Sequence, residues 1–224
     1  MRLYRSNKNV LSFKNNPVEF LNGITSNTLE APRNAFLNIH GKAVATFDQF
    51  KISDNEVWIV VEAPYVDLVL EHVNRYALLA KVEIKRLDLH VYFDLDSNAP
   101  LNDDEKAIAQ KQGQLIISAQ ARDTDVTEDE YTAFRLEHAI AQHGVDYKDD
   151  FILNVSETEF VSYTKGCYLG QEPVSKVHHR SKPTWRLAVK KSSDCKNDEL
   201  NKMTSATKDL RTGEVKGFVF EKNN

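Results

Sequence analysis

The chain has 224 residues, 41% hydrophobic and 28% charged, a balance that supports a folded core and excludes a disordered or fibrous polymer. Its 29 Lys/Arg against 33 Asp/Glu leave a net charge of −4, so no global basic field points to nucleic acid. Cys167 and Cys195 are too few for a disulfide framework, and neither a secretory leader nor an apolar run of bilayer length is found, so the expectation is a protein of the reducing cytoplasm.

Asn16-Pro17 predicts a helix start, with Val18, Phe20 and Leu21 following before Gly23. Residues 35–39, 42–52 and 56–61 read as strands, parted by turn signals at His40-Gly41 and Ser53-Asp54-Asn55. The clearest helix runs from Pro64 to Ala80, where Val66, Val69, Leu70, Val73, Ala77 and Ala80 recur at helical spacing. Two further strands are expected over 81–86 and 89–95, and three strands, a helix and more strands point to an α+β layer. Residues 96–106 are a polar linker, and 115–118 a brief strand. Thr127-Glu128-Asp129-Glu130 is a capping box, predicting a helix to about Gln142 that stops at Gly144. That places Glu137 in mid-helix, where a glutamate is ordinarily just a solvated carboxylate.

The richest stretch is 163–180. Cys167 lies between Gly166 and Gly170, two residues after Lys165, ahead of a helix expected from Gln171 to about His178. Lys176, His178, His179 and Arg180 follow, and cations beside a thiol favour the thiolate. A lone cysteine is also often a small buried hydrophobe, and Glu172 with Lys176 is an ordinary i,i+4 helix pair. From Lys176 to Lys191 six Lys/Arg occur with no Asp/Glu, which suits a polyanionic ligand, an RNA backbone or simply a solvated face. A metal site of Cys167, His178, His179 and Cys195 has no recognised ligand spacing, and none is expected. Strands are read at 185–190 and 215–220, around a polar run over 192–201.

Lys165-Gly-Cys-Tyr-Leu-Gly-Gln-Glu172 resembles the signature of the YgfZ family of folate-binding proteins, relatives of the glycine-cleavage T-protein. Phe20-Leu-Asn-Gly-Ile-Thr25 and Arg135-Leu-Glu-His-Ala-Ile-Ala-Gln-His-Gly-Val-Asp146 resemble two weaker elements of that family, with His138-Ala139 replacing its usual Ala-Gly. The resemblance implies a cloverleaf-like α+β fold. Residues 1–30 and 95–183 would form the folate-binding domain, 31–94 a ferredoxin-like layer, and 184–224 a reduced C-terminal β segment. It implies tetrahydrofolate, or a derivative, held by Glu137 at the pterin. Tyr168, Gln171, Glu172, Lys176 and Arg180 complete the set, with Lys182 or Arg186 as further partners of the glutamate tail.

Cys167 would be the essential thiol and Lys165 the group that lowers its pKa, in a factor supporting iron–sulfur enzymes, including tRNA-modifying ones. Its partners would be iron–sulfur proteins or their assembly machinery, with RNA contacted only indirectly and the chain a monomer. The family's transferases use an aspartate on the strand after a glycine turn, and Thr46 stands there in this sequence. Asp48 shares its strand face but is displaced by about 7 Å. An active one-carbon transferase and a folate-free interaction module are the alternative readings.

Overall fold

A computed structural model describes residues 2–209 and 212–223. The strands are β1 Leu3–Arg5, β2 Lys8–Lys14, β3 Arg33–Leu37, β4 Ala43–Ser53, β5 Glu56–Glu62, β6 Glu83–Leu87, β7 His90–Asp94, β8 Lys106–Ala109, β9 Gln114–Ser118, β10 Trp185–Lys191, β11 Thr204–Lys208 and β12 Val215–Lys222. The α-helices are α1 Pro17–Ile24, α2 Val66–Ala80, α3 Glu128–Glu137, α4 Ile152–Val155, α5 Gln171–Arg180 and α6 Asn197–Leu200.

The strands form three antiparallel sheets, ordered β3-β4-β5-β2-β6, β1-β7-β9-β8 and β10-β12-β11. Strand alternation explains how the first two stack. Leu11 and Phe13 on β2, with Val57, Ile59 and Val61 on β5, face α1 and α2, meeting Phe20, Leu21, Val66, Val69, Val73 and Ala77. Val10 and Val60 point the other way, into a second core with Phe93, Leu115 and Ile117 of the four-stranded sheet and Tyr131 and Phe134 of α3. The layers are therefore helices, five-stranded sheet, four-stranded sheet. With α1 and α2 on one face of the five-stranded sheet and α3 against the second core, helices pack beside antiparallel sheets rather than alternating with parallel strands, the α+β class.

These pairings redraw the expected domains. β2 lies between β5 and β6, so residues 8–14 belong to the layer assigned to 31–94, while β7 belongs to the four-stranded sheet with β1, β8 and β9. Sequence reasoning passed over β1, β2, β8 and β11. Lys8-Asn-Val-Leu-Ser-Phe-Lys14 is buried on both faces at its centre and lacks clean alternation, and β8 is four residues inside a polar neighbourhood. Asn16 precedes α1 with a left-handed backbone (φ 65) and no side-chain cap, its amide donating instead to Glu19.

The capping box at Thr127 is present, but α3 ends at Glu137 rather than near Gln142. Ala139 adopts φ 50, and the Ile140 amide turns back to the Arg135 carbonyl (2.8 Å). The cause is tertiary. Arg135, 2% exposed, donates to Asp146 at 2.6 Å, and the Gln142 amide donates to the same carboxylate at 2.8 Å. That pair also holds the C-terminal sheet. Thr204 and Ser205 donate to Asp146 at 2.9 and 2.6 Å, and Arg135 donates to Ser205 at 2.8 Å. Among the described residues, no helix is long and apolar enough to cross a membrane.

Removing one member of a buried ion pair strands the other charge, which costs about 3–5 kcal/mol. Arg135→Met is expected to lower unfolding stability by that order in urea titration, and to release the C-terminal sheet to proteolysis before the rest of the chain.

Candidate functional site

Register brings a set of charges together at the centre of the molecule. Thr46 and Asp48 alternate onto one face of β4, and the β3–β4 pairing sets Arg33 opposite Asp48. The β2–β5 pairing sets Lys8 opposite Glu62. Lys8 reaches Asp48 at 2.9 Å and Glu62 at 3.1 Å, while Arg33 lies 3.5 Å from Asp48 and pairs with Glu159. Gln110 donates to Asp48 (3.0 Å) and Gln142 to Glu62 (3.2 Å). Burial alone would lower the Lys8 pKa, but Asp48 and Glu62 outweigh it and hold the ammonium above the ordinary lysine range.

The space left among these groups is about 30 Å³, room for about one water. Thr46 is engaged by Tyr147 at 2.6 Å, and its hydroxyl cannot replace a carboxylate. Asp48 shares the cavity, as the strand period required, but it is neutralised by two cations.

The Cys167 loop lies elsewhere, docked onto the turn that leaves α1. The Leu169 amide donates to the Gly23 carbonyl (3.1 Å) and the Ser162 amide to the Ser26 carbonyl (2.9 Å). Lys165 Nζ donates to the carbonyls of Thr25 (2.6 Å) and Asn27 (2.9 Å) and lies 5.2 Å from the centre of the Tyr168 ring. Burial pushes the Lys165 pKa down to about 8, with Glu30 opposing. Tyr168 is buried with Ala35, Leu37, Ala43 and Val174, an anchor beneath the loop. Gly170 has φ +83, and a Cβ there would strike the Asn38 carbonyl, so glycine is required before α5. On this base Cys167 is exposed. It shares an open groove of about 430 Å³ with Lys165, Glu19, Asn22, Thr28 and Glu30.

Two of the three sequence motifs therefore meet, the 20–25 element supplying carbonyls to the 163–172 loop. The third stands apart. Glu137 is exposed at the end of α3 and lines a groove of about 610 Å³ together with Asp129, Glu130 and Ala133 of α3 and with Lys208, Asp209 and Lys216. The central cavity is thus lined neither by Glu137 nor by the Cys167 loop.

The remaining expected residues also disperse. Gln171 accepts from the Tyr168 amide (3.2 Å) and closes the turn into α5, where Glu172, Lys176 and Arg180 are exposed. Lys182 and Arg186 line a further groove, and Arg186 is bonded to Glu221 at 2.6 Å. His178 stacks on Tyr163 with ring centres 3.5 Å apart. Among the described residues no group of three or more His, Cys, Asp or Glu could hold a metal. Sequence reasoning did not find Lys8, Arg33 and Glu62. Their signal is cross-strand register, which appears only once β2 is known to pair with β5.

The stacked layers, with the 185–222 sheet clasped to α3, form a mixed α/β assembly of the T-protein type. One structure that shows this likeness is the glycine cleavage system aminomethyltransferase T from Bartonella henselae. The two share a TM-score of 0.76 and 13% identity over 97% of this chain and 77% of that one. No family model matches the sequence.

His143 borders the central cavity, its ring 3.9 Å from that of Tyr65, and its Nε2 donates to the Lys148 carbonyl at 3.1 Å. Burial pushes its pKa down to about 4 from 6.5, against the opposing effect of that carbonyl. The unfolded chain therefore takes up a proton that the fold refuses, so this contribution is intact above about pH 6.5 and is lost as pH falls toward 4. The loss should approach about 3 kcal/mol, and His143→Gln should flatten that limb of the stability–pH curve.

The thiols should separate as well. The Cys195 thiol donates to the Lys191 carbonyl (3.3 Å), and burial pushes its pKa up, with Lys190 opposing. Iodoacetamide at neutral pH should label Cys167 ahead of Cys195 in a peptide-resolved time course. Equal rates would show that the exposed loop gives Cys167 no advantage.

Proposed function

We propose that this chain is a tetrahydrofolate-binding protein of the T-protein fold, acting through Cys167 in support of iron–sulfur enzymes, tRNA-modifying ones among them. The carrying observation is the docked loop, which holds one exposed thiol on a fixed base of buried Tyr168, constrained Gly170 and carbonyl-bound Lys165. Rigid support beneath an exposed reactive group is how a functional side chain is positioned. In the resemblance to the YgfZ family that thiol is the essential group.

For the folate, the α3–β11 groove is the better fit. Its volume lies in the range of small-molecule sites, whereas the centre has room for little more than water. A pterin presents a ring N–H and an exocyclic amine, which a carboxylate such as Glu137 accepts as a charge-assisted pair. Lys208 and Lys216 are the cations of this groove that could meet the tail carboxylates, against Asp129, Glu130 and Asp209 in the same lining and with Lys216 lying 3.8 Å from Asp209; the resemblance implies Arg180, Lys182 and Arg186 for that role. Aminomethyl transfer is not supported, because Thr46 is bonded to Tyr147 and Asp48 to Lys8. A folate-free interaction module is the second reading, favoured by the ion pairs that close the centre.

Calorimetric titration with tetrahydrofolate separates these. Glu137→Ala should weaken binding by about 1–3 kcal/mol, with Asp48→Asn near wild type. The reverse order would move the pterin to the centre, and no binding by wild type would favour the interaction module. In cells, Cys167→Ser is expected to keep folate binding while failing to restore iron–sulfur enzyme activity in a complementation assay. Full complementation would make the motif purely structural.

A further inference from the structure

We propose that Lys165 is a carbonyl-capturing amine, and that the groove it shares with Cys167 takes a small neutral aldehyde that condenses with Nζ to an imine. This lies beyond the folate reading and does not depend on it.

The geometry of the amine is the first ground. Lys8, Lys190 and Lys191 each lie within ion-pair distance of a carboxylate. Lys165 instead gives its hydrogen bonds to two neutral acceptors, the carbonyls of Thr25 and Asn27. A neutral amine has two N–H donors, and these carbonyls satisfy both, leaving the lone pair for an electrophile. An ammonium at the same place would keep a third donor and a charge in a half-buried site without a carboxylate against it. The setting therefore enlarges the unprotonated fraction relative to an exposed lysine, in line with the downward shift to about 8, although Glu30 opposes it. A desolvated lysine near neutrality is the setting in which lysine acts as a carbonyl nucleophile.

The groove supplies the second ground. It is open, about 430 Å³, and Lys165, Gly166 and Cys167 form one side of it. Glu19 and Glu30 also line it, which disfavours anionic carbonyl compounds and leaves small neutral aldehydes as the class that fits. The step balances without oxidant or reductant. The nitrogen lone pair forms the N–C bond, and a proton passes from nitrogen to the carbonyl oxygen to give a carbinolamine. Loss of that hydroxyl with the remaining N–H proton releases one water and leaves C=N. On protonation the imine regains one N–H, which can return to one of the two carbonyls.

The test uses the full chain with limiting glycolaldehyde and cyanoborohydride at pH 7, read by peptide-resolved mass spectrometry. Lys165 should be alkylated roughly tenfold faster than the exposed Lys111 and Lys148, despite its burial, because a larger fraction of it is unprotonated. Lys165→Arg should abolish the fast phase without slowing the exposed lysines. Cys167→Ser should leave the preference intact, and its loss there would assign the capture to the thiol and overturn the proposal. Labelling of wild-type Lys165 no faster than Lys111 and Lys148 would also overturn it. Because no folate is present, neither result bears on the folate reading.

Discussion

The Asp48 carboxylate, 2% exposed, is the point on which the centre of this molecule depends. Lys8 comes to it from β2, Arg33 from β3 and Gln110 from beyond β8, so both large sheets contribute a partner. A buried carboxylate is tolerated only when paired and hydrogen-bonded, and the partners are fixed because an unmatched cation would cost as much. Register between β2, β3, β4 and β5 is thereby specified twice, once by the apolar alternation and once by charge. The same arrangement leaves only about 30 Å³ among these groups.

At the periphery a second buried pair, Arg135 with Asp146, ties α3 to the C-terminal sheet. It shapes the α3–β11 groove, since ending the helix at Glu137 leaves that carboxylate exposed beside β11. The Cys167 loop is held by different means: backbone amides, one lysine and an aromatic anchor. Hydrogen bonds to carbonyls of the 23–27 turn hold the loop. Lys165 is thus part of the support of the loop as well as a candidate for chemistry of its own. The two grooves share no lining residue.

Much of the secondary structure was legible because local physics dictates it. The α2 stripe of Val66, Val69, Val73 and Ala77 and the Thr127 capping box are short-range signals that hold in any context. β2 escaped notice because both of its faces are covered, which erases alternation. α3 was expected to run too far because its end is set by Asp146, nine residues beyond Glu137, and no propensity encodes that contact.

Sequence by itself determined the α+β class, the starts of α1, α3 and α5, and the Cys167 loop as the place where thiol, glycines and lysine gather. Tertiary structure alone decided which groups share a cavity. It assembled Lys8, Arg33, Asp48 and Glu62, turned Lys165 toward two carbonyls, and set Glu137 in a groove apart from Cys167. The physical reason is range. Caps, periodicity and glycine angles act over a few residues, whereas an ion pair between strands forty positions apart depends on register, and register exists only in the assembled sheet.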